Sequence, residues 1–134
     1  MKLKSVNIAE LQGKVFSSII VNSDKTEIIF DEAGTNILYK MYHDQDCCEV
    51  VEIEDICGDL KDLVDTPIII AEERTSEAPD EVTDDLDDFL WTFYTFRTIK
   101  GSVNIRWLGS SNGYYAIGVD LIKGTKEEFD KYFN

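Results

Sequence analysis

Apolar and polar residues alternate in short runs along most of this chain, and turn residues break the runs at near-even intervals. Residues 7–12 read as one short helical turn stopped at Gly13. Residues 15–21, "VFSSIIV", are rich in β-branched side chains and precede the turn "NSDK". Residues 27–31, "EIIFD", alternate apolar with polar, "EAGTN" forms the next turn, and residues 37–43, "ILYKMYH", give a third strand. Three short strands so spaced predict an antiparallel meander. Residues 48–56, "CEVVEIEDI", alternate Val51 and Ile53 with Glu52 and Glu54, which favours an extended segment with one acidic face. Residues 58–65 suit a single helical turn or loop, and Pro67 is placed to open a strand in "PIIIAEE".

The pattern breaks at residues 72–88, where nine acids and one arginine occur together; this reads as an exposed acidic loop or insertion within one domain. A long aromatic strand follows at residues 89–101, "FLWTFYTFRTIKG". "SVNIRWLG" and "GYYAIGVDLIKG" come next, separated by "SSNG", and Asn112-Gly113 signals a hairpin. Tyr115, Ile117, Val119 and Leu121 would then share one strand face. In "TKEEFDKYF", Thr125 and Glu128 form a capping box, and Phe129 and Phe133 stand four apart, so a short C-terminal helix is expected. The fold expected is α+β: a single domain over residues 1–134, mainly antiparallel β-sheet, with one or two short helices.

Composition sharpens this picture. Fifteen aromatic residues (seven Phe, six Tyr, two Trp) argue for a packed core. The net charge of −14, from 27 acidic and 13 basic residues, disfavours direct binding to nucleic-acid phosphates and favours encounter with basic proteins. No apolar run reaches the roughly 18 residues of a membrane span, and the N-terminal segment lacks the apolar stretch of a secretory signal. Three cysteines, two of them adjacent, make a poor disulfide framework, so reduced thiols in a cytoplasm are expected.

Candidate chemistry gathers in "YHDQDCCE", residues 42–49. A zinc site, or a small metalloenzyme, would draw on His43, Asp46, Cys47 and Cys57, with Asp44, Cys48 and Glu49 nearby. Against it, adjacent cysteines on a strand point to opposite sides, and no CxxC is present. A Cys–His nucleophile from Cys47 or Cys48 with His43 is disfavoured by the surrounding acids, which raise a thiol pKa. The better-supported reading makes this a polar strand end. His43 prolongs the face of Ile37, Tyr39 and Met41, the aspartates bond nearby backbone, and the cysteines are buried as small hydrophobes. No cofactor is expected on that reading.

The acids themselves form the other candidate. Side chains two apart on a strand lie about 6.6 Å from each other on one face, so Glu52 and Glu54 form such a row, as do Asp85 and Asp87 if extended. Glu72, Glu73, Asp80, Glu81, Asp84, Asp85, Asp87 and Asp88 join them as candidate partner-binding residues.

The His-Asp-x-Asp-Cys-Cys-Glu element at residues 43–49 and "NIRWLGSSNGYY" at residues 104–115 are the most particular stretches of the chain. Through them it resembles a family of small, uncharacterised proteins from phages and prophages, mainly of Gram-positive bacteria. That resemblance covers most of the chain after about residue 14 and implies expression in a bacterial cytoplasm; no activity is established for the family, so it assigns no catalytic residue. The function expected is a non-enzymatic protein that binds and inhibits a basic, nucleic-acid-handling host protein. A metal-binding protein is one alternative. A phage structural or assembly component is another, with the aromatics of "FLWTFYTF" available to line its interface.

Overall fold

A computed structural model describes residues 3–77, 88–113 and 115–133. Two antiparallel sheets pack face to face. The first has the order β1 (Lys4–Ser5), β9 (Asp120–Thr125), β4 (Ile37–Tyr42), β3 (Glu27–Glu32), β2 (Phe16–Val21). The second runs β5 (Val50–Cys57), β8 (Gly101–Ser111), β7 (Asp88–Thr98), β6 (Ile70–Glu77). A mainly antiparallel α+β architecture is therefore what forms, with the strands divided between two layers.

The meander of β2, β3 and β4 forms where alternation places it. Its inward side chains, Phe16, Ile19, Ile28, Phe30, Tyr39 and Met41, meet Tyr94, Phe96, Val103, Ile105 and Trp107 of the second sheet in one core. Phe30 and Phe96 make the contact between layers, with ring centroids 5.9 Å apart. Two bulges keep apolar residues inward where strict alternation would turn them out. One lies between Phe16 and Ser18 and re-aims Ile19 to the core; the other lies between Ile53 and Asp55 and does the same for Ile56. Short 3-10 turns at Ile8–Leu11 and Leu60–Leu63 close the core with Leu11 and Leu63, each capped by the preceding Asn7 or Asp59.

The C-terminal helix α1 (Lys126–Phe133) starts at the expected box. Thr125 N–H donates to Glu128 Oε1 at 2.8 Å, and Glu128 N–H donates to the Thr125 hydroxyl at 3.2 Å. Phe129 and Phe133 stack along the helix, which lies on the outer side of the first sheet at β4 and β9. Lys40, on that side, is only 7% exposed; its ammonium lies 3.1 Å from Glu27 and 3.5 Å from the Phe133 ring centroid. Among the described residues no helix is long and apolar enough to cross a membrane.

Three expectations need correction. Asn112-Gly113 is not a hairpin. Gly113 has φ +94°, but β8 ends at Ser111 and the chain crosses to the first sheet, where β9 begins at Asp120. Of the residues assigned to one face of that supposed strand, only Leu121 lies on β9. The crossing passes so near β8 that a Cβ on Gly109 would collide with the Ile117 carbonyl oxygen. Second, the true hairpin joins β7 to β8 through Ile99 and Lys100, with Thr98 paired to Gly101. This tight turn is held by Thr98, whose hydroxyl accepts the Lys100 N–H at 3.1 Å and donates to the Asp62 carbonyl. Third, residues 72–77 are no loop: they belong to β6, paired with β7 from Ile70–Arg97 to Glu77–Leu90. Pro67 bridges Val15 ahead of that strand.

Phe96→Ala is expected to cost about 3–5 kcal/mol, read as a lowered urea midpoint at unchanged secondary structure. Ile99→Ser, at a turn position 84% exposed, should stay within about 0.5 kcal/mol of the parent.

Candidate functional site

His43 follows the last residue of β4, where the chain leaves the first sheet for the second. Its imidazole is buried, with the side chain 6% exposed and that of Glu49 0%. Nδ1 lies 2.7 Å from the Gly118 carbonyl, on the return crossing, and Nε2 lies 2.8 Å from Glu49 Oε2. The Glu49 carboxylate also accepts the backbone N–H groups of Asp46 (2.9 Å) and Cys47 (2.8 Å). A carbonyl oxygen can only accept, and so can an ionised carboxylate, so both bonds are made when both ring nitrogens carry hydrogen, in the imidazolium form.

Burial is the largest influence on each group and opposes its charge. For His43 it is outweighed by the hydrogen bonds to Glu49 and Gly118 and by the fields of Glu49 and Asp120, so the pKa rises above 6.5. For Glu49 it is outweighed by the bonds from His43, Asp46 and Cys47, which bring the carboxyl down to about 2. The arrangement is a satisfied, buried ion pair, and it ties together the two segments that pass between the sheets.

This geometry revises the expectations for the segment. His43 is the satisfied strand-end group anticipated, but its partner is Glu49, and Glu49 rather than the aspartates bonds the turn backbone. Cys47 and Cys48 are exposed, not buried, and are joined to each other in a disulfide where free thiols are expected. Neither therefore stands as a thiolate beside His43. Cys57 is exposed at the end of β5 and is not drawn into the cluster. Among the described residues no group of three or more His, Cys, Asp or Glu side chains is placed to hold a metal ion.

The candidate acids among the described residues lie on the second sheet. Glu52 and Glu54 are exposed on β5, and Glu72 and Glu73 on β6, so the two pairs lie on opposite edges of one sheet. The bulge turns Asp55 outward beside Glu52 and Glu54 and opposite Arg106, which itself pairs with Glu54. Glu73 points to the inner side and accepts from Tyr94 Oη, and burial followed by that bond raises the tyrosine pKa. Asp88 is exposed at the start of β7. Asp80, Glu81, Asp84, Asp85 and Asp87 lie outside the described residues. The roles of Glu49 and Asp55 escaped the sequence reading: a buried acid inside an acidic run carries no distinguishing pattern, and a bulge shows only once register is known.

A family model described as a domain of unknown function (DUF7448) matches residues 7–121. The chain belongs to that family. No curated protein and no solved structure matches it. The family match covers the His43 clamp, both crossings and the whole of the second sheet, and leaves α1 outside its bounds.

The pH dependence of the clamp follows from the two shifts. The raised pKa of His43 contributes stability in full below pH 6.5, lost as pH rises through the folded value. The lowered pKa of Glu49 contributes stability in full above pH 4.5, lost as pH falls towards 2. Denaturant midpoints of the parent and His43→Gln should therefore differ most between pH 4.5 and 6.5 and converge at higher pH; a gap that widens above neutrality would contradict the imidazolium.

Proposed function

We propose that this chain is a non-catalytic binding protein whose carboxylate-rich second sheet receives a cationic protein. In the phage setting that its sequence resembles, the partner is a nucleic-acid-handling protein of the bacterial host, and binding blocks it in the cytoplasm. The observation that carries this reading is the placement of the acids. Glu52, Glu54 and Asp55 project from one edge strand of the sheet and Glu72 from the other. Only Glu54 of these four has an ion-pair partner among the described residues. Carboxylates spaced along strands resemble a phosphate row in spacing and sign, and they sit on a molecule of net charge −14 that speeds encounter with cations.

The His43 segment supports the reading by what it does with its reactive groups. Both imidazole nitrogens and both Glu49 oxygens are engaged in holding the crossings, which leaves them no acid–base role.

Immobilised protein should retain a basic nucleic-acid-binding protein from bacterial lysate and release it with salt. With that protein purified, the triple change Glu52→Lys, Glu54→Lys, Glu72→Lys should slow association at least tenfold at low ionic strength and flatten its salt dependence. Association rates equal to the parent's at every salt concentration would dispose of the acidic surface as the docking site.

A further inference from the structure

The two outer faces of the sandwich differ. On the first sheet's, α1 lies over β4 and β9, while Ile20 on β2 stays exposed. Among the described residues, no helix or further sheet packs on the second. Register dictates what that bare face displays. One row crosses the sheet as Arg74, Phe93, Arg106 and Asp55; the next crosses it as Ser76, Trp91, Leu108 and Glu52. Trp91 and Phe93 stack at 6.4 Å with 22° between their planes. The Arg74 guanidinium lies 4.8 Å from the Phe93 centroid, and that of Arg106 lies 5.3 Å from Trp91. Between the two arginines the surface dips into a cavity of about 210 Å³ lined by Phe93.

A strand with one wet face should alternate apolar with polar, whereas continuous apolar runs belong to strands covered on both sides. β7 carries Thr92, Tyr94 and Phe96 inward, which fills its share of the core. Its outward positions Phe89, Trp91 and Phe93 are aromatic as well and only half-buried; among the described residues Trp91 and Phe93 meet each other, Leu108 and the two arginines. All three arginines of the sequence, Arg74, Arg97 and Arg106, point to this side. Tryptophan and arginine at the centre of a patch, ringed by charge, is the composition of an energetically dominant protein interface.

We infer that the outer face of β5, β8, β7 and β6 is where the cationic partner docks. Its apolar side chains seat on Trp91, Phe93 and Leu108, and its lysines and arginines meet Glu52, Glu54, Asp55 and Glu72 at the rim. This inference rests on the function proposed above and adds the anchor and its location. The face carries three arginines, but Arg106 is already paired with Glu54 and Arg74 lies over Phe93, so the four rim carboxylates and the net charge of −14 favour a cationic occupant. A second copy would bring another −14 against the same rim, and a nucleic acid would bring phosphates to it.

The probe is a synthetic twelve-residue peptide alternating arginine with leucine, titrated at 150 mM salt against the full chain and followed by tryptophan emission and calorimetry. Trp91→Thr/Phe93→Thr keeps β-branched residues on the strand, with its unfolding midpoint as the folding control. Leu108→Glu is a second variant that adds negative charge, so any weakening it causes is a packing effect. Both should bind the peptide at least tenfold more weakly than the parent, and Glu52→Lys/Glu54→Lys should weaken binding and reduce its salt dependence. If rim reversal weakens binding while both face variants match the parent, the aromatic anchor is wrong and the acidic reading stands. If the parent fails to bind the peptide, both fall. Tighter binding of a twelve-nucleotide oligothymidylate than of the peptide, or a concentration-dependent dimer lost in Trp91→Thr/Phe93→Thr, would also overturn the inference, in favour of nucleic acid or a second copy.

Discussion

The buried contact between His43 and Glu49 governs how the two sheets are held together. Among the described residues the chain passes between the sheets twice, once from β4 to β5 and once from β8 to β9. Hydrophobic packing presses the layers together but is not directional, and it does not by itself fix where two irregular crossings lie. The imidazolium does so by donating to a backbone carbonyl of one crossing and to a carboxylate of the other, while that carboxylate gathers two backbone N–H groups of its own turn. Every polar atom of the pair is satisfied, the condition under which a buried charge pair is tolerated. Removing one partner strands the other, so the clamp acts as a unit. Gly109 is part of the same constraint, since only a residue without a side chain lets the second crossing pass so close to β8.

With the crossings fixed, the layers follow. α1 lies on the outer side of β4 and β9, and Lys40 beneath it keeps its charge against Glu27 and the Phe133 ring. The second sheet receives no such cover from the described residues. Its strands are also the longer ones, with β7 and β8 each of 11 residues, so it presents the broader open surface. The bulge in β5 serves both sides of that sheet: it returns Ile56 to the core and sets Asp55 outward beside Glu52 and Glu54.

What the sequence made legible divides along physical lines. Features with local causes could be read from it: the meander from alternation, the helix start from Thr125 and Glu128, the glycine stop at Gly13, and the antiparallel α+β class. Features with distant causes could not. Asn112-Gly113 has hairpin chemistry, yet the chain turns there into a crossing because Leu121 and Ile122 pair with Met41 and Lys40 of the other sheet. Ile99-Lys100 lacks turn glycine, and its hairpin depends on a hydroxyl bond to Asp62, some 36 residues away in sequence. Residues 72–77 look like loop by charge, but pairing with an aromatic neighbour outweighs their polarity. Of the candidate site, the burial of His43 was legible from the face it prolongs. Its partner was not, because a run of acids gives no means of telling which one folds inward.

The edge carboxylates and the aromatic face do not weigh equally as signs of function. Charged side chains on edge strands also guard a sheet against pairing with strands of other molecules. Glu52 and Glu54 on one edge and Glu72 and Glu73 on the other satisfy that need whether or not a partner exists. Stability supplies no comparable reason for Trp91 and Phe93. Their inward neighbours already fill the core, and apolar surface left facing water forgoes roughly 25 cal/mol for each Å² that burial would remove. The arginines beside them recover part of this through their contact with the rings. Nor does folding require all three arginines to share a face, because ion pairs with the many acids of the chain were available elsewhere. The aromatic and guanidinium patch is therefore the feature that internal packing explains least, and the proposed docking is what would account for it.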